Sequence, residues 1–485
     1  MNQYCSPARI LILLFSFCLV SGGTAAENRL YLGQEPPGLT PKVFAPGFIS
    51  LDNRYESFIT FTPDGNECYF THHQIEWQPC RIMMTVYRNG EWTTPQKAPF
   101  SDNSSSLCPS ISHDGTRFFF SKNASIYQCL RNEDGDWSTP VLVSQPVSSS
   151  SYEFSCHFSD KGNMFVCSWR SGGMGGCDGW RIPFVDGQWQ QAQNLRVLNS
   201  SVGDCCFAPG PNEDYLIFQS RRPPTGNAGG FFGTDLFISF ATPEGGWTTP
   251  RNLGPIINSP ATDGFPWISH NGRYMFFASD RQGTNDIYWV ETRAFLPDPN
   301  GPVRNLNTRE RYNSIQAAAI FAQNGDVIVI DPDIYQESID LTGKTLLLQS
   351  VDPNNPVYIG GTIIQGRIDN PVVILQSNSR DCEIAGLTIR AGSVGIRGTE
   401  TNATIRNCRI MDNVTNGMEL FQSSSPLLKN CLITANGQTG IKMHPPVGRG
   451  MSPCAPTIES CIIVDNGDGA IDGGEPIIVN STIED

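Results

Sequence analysis

Charge is scarce in this sequence, and helical periodicity is almost missing. Charged residues make up 16% of 485, and long runs with apolar residues at helix spacing are nearly absent, which sets aside a mainly helical chain. Basic charge is in deficit, for a net of −14, so nucleic acid and anionic lipid headgroups are poor partners, whereas neutral glycans, cations and basic proteins are easier ones. The 16 cysteines form no Cys-x-x-Cys pair, and their spacing is that of neither a disulfide scaffold nor a zinc site; a few bridges at most are expected. Nucleophile elbows, phosphate loops and dinucleotide fingerprints are missing too. No apolar stretch beyond the first residues is long enough to span a membrane, so no membrane insertion is expected.

What is present begins with Arg9, an apolar run over residues 10–20 and the small residues Ser21-Gly22-Gly23-Thr24-Ala25-Ala26. That order predicts a signal peptide over residues 1–26 and an exported protein, periplasmic or extracellular, starting near Glu27. Phe17 stands where a lipidated Cys18 would need a small residue before it, which argues against a lipid anchor. Glycine at 47 and proline at 35 fit a turn-rich all-β chain, and the length calls for more than one domain.

A unit returns five times in the first half. It opens with an apolar strand, turns at Asp64-Gly65, and continues through Cys68-Tyr69-Phe70; matching turns are Asp114-Gly115, Lys161-Gly162, Asn271-Gly272 and a distorted copy at 209–212. Such pairs supply the positive φ of tight hairpins. A second landmark, Gly90-Glu91-Trp92, Gly135-Asp136-Trp137, Gly187-Gln188-Trp189 and Gly246-Trp247, spaces its tryptophans 45, 52 and 58 residues apart, room for about four short strands. The tryptophans read as packing wedges between blades. The third landmark is Ser168-Trp169-Arg170 before a glycine loop and Cys177-Asp178, repeated as Ser220-Arg221-Arg222 with Asp235 and as Ser279-Asp280-Arg281 with Asp286. Arg and Asp are expected to pair across the mouth of each loop.

These motifs, with the turn at 62–65 and the W-x-x-P-x-N-L segment at 247–253, resemble the WD-like propeller repeat of the Tol-system periplasmic propeller over residues 40–293. The segment 39–44 reads like the strand after each tryptophan and would complete the last blade, closing the ring. Five blades are expected, with six as the alternative count.

Residues 294–302, rich in proline, read as a linker. A helix follows, with Asn313 as its cap, Ile315, Ala318, Ala319 and Ala322 on one face, and Asn324-Gly325 as its stop. Then a six-residue pattern recurs at Ile384/Ile389, Ile405/Ile410, Leu428/Ile433, Ile458/Ile463 and Ile478/Ile483, in steps of 21, 23, 30 and 20 residues. Coils of that length stack as parallel strands about 4.8 Å apart. Cys408, Cys431 and Cys461 fall in register, as do Asn413, Asn436 and Asn466. The segments 312–318, 325–329 and 335–337, with Ser425-Pro426 and Asn430-Cys431-Leu432-Ile433, resemble pectate-lyase-like right-handed β-helices over residues 303–485. That resemblance implies carbohydrate lyases, hydrolases and esterases among the relatives. The fold class is therefore all-β: a five-bladed β-propeller, then a right-handed parallel β-helix with a short N-terminal capping helix. The last coil stops short of its corner asparagine, so missing coils or a partner over that end are expected.

Three constellations are candidates for chemistry. Glu56, Glu153 and Asp263 occupy matching places on the first strand of their units, with Asp204 nearby, and the four are expected to ring one mouth of the propeller channel as a ligand-binding set. Asp465, Asp468, Asp472 and Glu475 are the candidate metal ligands, for Ca²⁺; no other cofactor is expected. Lys442, His444 and Arg449 lie beside the 30-residue coil, whose extra loop runs over 445–456, and are the candidate catalytic groups against an acidic sugar. The expected function is an exported binding or scaffold protein that recognises a polysaccharide or an envelope protein. The alternative is a polysaccharide lyase or glycoside hydrolase acting through the β-helix.

Overall fold

The structure is a computed structural model that describes residues 27–73, 79–102, 104–222, 233–378, 381–447 and 452–484. The expected signal peptide and Arg449 lie outside the described residues. A 3₁₀ stretch over Glu27–Gly33 belongs to a small unit ending at Glu35, and everything from Pro36 onward forms one compact unit. Among the described residues no helix is long and apolar enough to cross a membrane.

Five antiparallel sheets stand around one axis, giving a five-bladed propeller. Their inner strands are Tyr55–Phe61, Ser106–Ile111, Glu153–Phe158, Asp204–Pro209 and Asp263–Ile268. Each hairpin turns where Gly65, Gly115, Gly162 and Gly272 take φ of 68–77°; the distorted fourth copy puts Glu213 at φ 55° instead. Glu213 is fixed there by the third blade, whose Asn163 Nδ2 and Arg181 donate to its carboxylate at 2.6 and 3.2 Å. Tryptophans wedge between blades: Trp137 Nε1 donates to the first blade's Tyr69 hydroxyl at 2.7 Å, and Trp189 packs on the second blade's Phe119.

The ring closes as the sequence predicts. Lys42–Val43 pairs antiparallel with the strand Asp286–Glu291, Lys42 opposite Trp289 and Val43 opposite Tyr288, so the last blade takes its outer strand from the start of the chain. Phe44, next along, is fully buried among Phe61 of the first blade and Phe276 and Trp289 of the last.

The expected linker is partly core, since Ala294 and Phe295 are buried against the last blade. The helix runs Ile315–Phe321, and its cap is Ser314 rather than Asn313: the Ser314 side chain accepts from the Ala317 amide, while Asn313 donates to Asp298. A second helix, Pro356–Gly361, carries no buried residues, which is why no apolar stripe announced it.

Three parallel sheets then wind as a right-handed β-helix. The predicted register holds through Ile384, Ile405, Leu428, Ile458 and Ile478 on one sheet and Ile389, Ile410, Ile433, Ile463 and Ile483 on the next. The third sheet stacks Ile396, Met418, Ile441 and Ile471. Asn413 Nδ2 donates to Asn436 Oδ1 and Asn436 Nδ2 to Asn466 Oδ1, each at 2.9 Å, a ladder along the corner. Cys408, Cys431 and Cys461 fill the core beside it. The first coil is covered by Val303–Asn305, which pairs antiparallel with Val327–Ile330, and the last coil leaves Ile477 and Ile478 exposed.

Candidate functional site

The inner strands decide what the propeller axis presents. All five inner strands shift register, and in the first, second, fourth and fifth blades Phe58, Cys108, Cys206 and Phe265 take φ of 54–58° or, for Phe58, 45°. These four side chains meet on the axis with Ala278, and Phe154 packs against them. Phe58 lies 4.4 Å from Phe265 and 5.8 Å from Phe154, ring centre to ring centre, so the channel is plugged by aromatic carbon. Above the plug lies a cavity of about 1020 Å³, with Phe58, Phe154 and Phe265 among its lining and Tyr152, Trp169, Cys177, Cys205 and Arg221 on its walls. Tyr152 and Trp169 are 42% and 44% exposed and meet edge-to-face at 4.9 Å.

The four acids expected to ring this mouth do not line it. Successive side chains on a strand point to opposite faces. Ser57, Phe154 and Cys205 therefore reach the cavity, while Glu56, Glu153 and Asp204, one residue earlier, turn into the blade; all four acids, Asp263 included, are fully buried. There they meet the arginines of the repeated Ser-x-Arg motif. Arg222 Nη2 donates to Asp204 Oδ1 at 2.6 Å, Arg281 Nη2 to Asp263 Oδ1 at 2.5 Å, and Arg170 Nη2 to Glu153 at 3.3 Å. Each of these arginines reaches the inner strand, while Asp178 accepts from the Met174 and Gly175 amides of its own loop and Asp286 from the Thr284 hydroxyl. The same guanidinium groups donate to the carbonyls of Val147, Leu198 and Ile257 in the segment leading into that blade. The first blade has no such motif, and Arg54 takes the role for Glu56. Burial pushes the Glu56 carboxyl up to about 8 despite the opposing pull of Arg54.

The wall between the third and fourth blades is built from thiols. Cys167, Cys177 and Cys205 hold their sulfur atoms within 4.8 Å of one another. Among the described residues no disulfide links the cysteines, where a few bridges at most were expected. Burial opposes ionisation of Cys167, but hydrogen bonds from Cys177, Cys205, Cys206 and Ser155 together hold its thiol well below the usual range.

The opposite mouth carries groups the sequence reading missed. His113 Nδ1 lies 2.9 Å from Asp160, and its ring is 6.1 Å from that of His270, whose Nε2 meets the Phe61 carbonyl at 2.9 Å. All three occupy the second position of the repeated hairpin turn, so aligning those turns residue by residue would have placed them together.

On the β-helix the remaining candidates separate. Asp465, Asp468, Asp472 and Glu475 do not converge: among the described residues the three cysteines above are the one group that gathers its ligand atoms this tightly. The corner spreads the four acids along a turn and a strand, with Asp472 on Ile471–Asp472. Asp472 faces Lys442 at 4.0 Å in the next coil, and Glu419 faces Arg397 at 3.2 Å below, so Lys442 and Asp472 extend one charge ladder up the third sheet. His444 stacks flat on Phe421 at 4.0 Å.

Comparison with known proteins follows the same division. The family described as right handed beta helix region matches residues 311–445 and again residues 350–485. No curated protein matches. TolB from Acinetobacter baumannii is similar at 16% identity over 49% of this chain and 52% of that chain, with a TM-score of 0.34; the match thus spans about half of that protein. An assigned TolB from Agrobacterium tumefaciens is similar at 15% identity over 49% and 78%, with a TM-score of 0.34. Hydrazine synthase of Kuenenia stuttgartiensis gives 12% identity over 50% and 65%, with a TM-score of 0.31. By its own strand pairing the chain is a five-bladed propeller joined to a right-handed parallel β-helix, and residues 311–485 are similar to known right handed beta helix regions.

Proposed function

We propose that this protein is an exported carbohydrate-binding protein whose ligand sits in the axial cavity of the propeller. The observation that carries the reading is the pair Tyr152 and Trp169, large aromatic rings left nearly half exposed at the wall of a cavity with an aromatic floor. A pyranose offers an apolar face of C–H groups and a rim of hydroxyls. Aromatic walls with a few placed polar groups, here Ser57, Thr71, Gln219 and Arg221, match that division. The acidic whole chain makes a neutral sugar the easier ligand.

Lys442 and Asp472, the pair on which a lyase or hydrolase reading would rest, already neutralise one another along the charge ladder. The test is a glycan-array screen of the chain from residue 27 onward, followed by calorimetry on each hit and mass analysis of the sugar for turnover. Retention without turnover is expected, and Trp169→Ala should weaken binding at least tenfold, on the order of 1.4 kcal/mol, with unchanged folding. Retention that survives Trp169→Ala and Tyr152→Ala together, or cleavage of the sugar, would overturn the reading.

A further inference from the structure

The thiol cluster lies outside what the proposed ligand needs, and its construction is specific. Cys167 is the last residue but one of the second strand of the third blade, Met164–Ser168, Cys177 precedes that blade's third strand, and Cys205 follows Asp204 on the inner strand of the fourth. Strand register fixes the matching positions elsewhere. Thr71, Ser121, Gln219 and Ala278 match Cys167; Cys80, Ala124, Thr234 and Asn285 match Cys177; Ser57, Leu107, Phe154 and Gly264 match Cys205. At this junction alone do three thiols coincide, so duplication of a repeat does not account for them.

The glycine loop delivers Cys177 in one position. Asp178 Oδ2 accepts from the Met174 amide at 2.6 Å; a Cβ on Gly173 would stand 1.8 Å from that oxygen, and one on Gly175 would stand 2.5 Å from the Ser200 carbonyl. Any side chain there would push the loop off the blade. The Cys206 amide donates to Cys167 Sγ at 2.6 Å, where matching junctions use oxygen: the Cys108 amide donates to Thr71 Oγ1 and the Phe265 amide to Gln219 Oε1. An amide aimed at sulfur is the kind of outer hydrogen bond that supports a ligating thiolate. Cys177 and Cys205 also border the cavity, which leaves one side of the cluster open to a further ligand.

We propose that Cys167, Cys177 and Cys205 form an open three-thiolate site for one thiophilic d¹⁰ cation, Zn²⁺ or Cu⁺. Soft sulfur donors select these ions. Around a cation with metal–sulfur bonds of about 2.3 Å, three sulfurs stand about 4 Å apart. The three sulfurs already lie within 4.8 Å of one another, and the 2.8 Å between Cys177 and Cys205 would open by about 1 Å to admit the ion. Each ligating thiol gives its proton to solvent and no electron is transferred. The site stands independently of what the cavity holds.

The chain from residue 27 onward, purified with reduced thiols and without oxygen, is titrated with Co²⁺ as an optical probe, then with Zn²⁺ in competition, and in a separate arm with Cu⁺ against a chelator. One equivalent per chain with a thiolate-to-cobalt charge-transfer band is expected, and the tighter arm identifies the ion. Cys177→Ser and Cys205→Ser should each weaken binding at least tenfold, while Cys431→Ser in the β-helix leaves it unchanged. Absence of the band, binding undiminished in both variants, or a Cys177–Cys205 disulfide without metal in protein isolated without reductant would overturn the proposal.

Discussion

At the scale of the residue, the arginines of the repeated motif matter most. A carboxylate taken out of water is costly unless paired, and breaking such a pair costs more than the pair itself contributes, because the remaining charge stays buried. Asp263 is fully buried, with Arg281 on one oxygen and the Ser259 amide, at 2.6 Å, on the other. Arg281→Ala should therefore destabilise the propeller by about 3–5 kcal/mol, measured by urea unfolding. Asp263→Asn together with Arg281→Leu should recover part of that loss, since no charge is then stranded; a double variant no more stable than the single one would contradict the account.

At the scale of the element, the helix Ile315–Phe321 is held at both ends. Its first amides, Ile315 and Gln316, donate to the Glu337 carboxylate at 2.8 and 2.9 Å, and Arg251 and Lys344 donate to the last carbonyls, Ile320 and Ala322. Negative charge at the first turn and positive charge at the last match the helix dipole. Phe321 packs against both the propeller core and the β-helix core, so this short helix is the joint between them. Burial nevertheless pushes the Glu337 carboxyl up to about 7 from 4.5, against the pull of the two amides. In that interval the folded chain holds a proton the unfolded chain has released. Stability should thus fall as pH rises from 4.5 to 7 and level off above, by at most about 3 kcal/mol. Glu337→Gln should flatten this slope in denaturation midpoints measured at pH 5 and pH 7.5; an unchanged slope would show that Glu337 is not its source.

At the scale of the whole molecule, the ring is closed by the strand Lys42–Val43 and the Phe44 ring, together with direct first-to-last-blade bonds such as the Glu56 amide to the Asn285 carbonyl at 2.7 Å. Phe44→Ala removes a fully buried ring from between the first and last blades, and its amide bond to the Ile287 carbonyl, at 2.7 Å, then rests on a cavity. A loss of about 3–5 kcal/mol is expected, with hydrogen-exchange protection falling in Tyr55–Phe61 and Asp286–Glu291 and holding in the β-helix. Uniform protection across both blades would mean that the ring is latched elsewhere.

What the sequence determined by itself was the repeat: five blades, the closing strand, and the rows of Ile384 and Ile389 up the coils. Each unit's apolar face can be buried only against a neighbour of equal length, so spacing alone reveals it. What only the tertiary structure decided was phase and convergence. Three of the acids were legible at matching positions with Asp204 nearby, but whether the four faced channel or blade turned on a one-residue alternation beside a bulge. The thiols of Cys167, Cys177 and Cys205 are 10 and 28 residues apart along the chain, and the curvature of two blades around an axis brings them together. Periodicity is a local property of the chain, whereas the meeting of side chains from separate blades depends on the angle at which those blades pack.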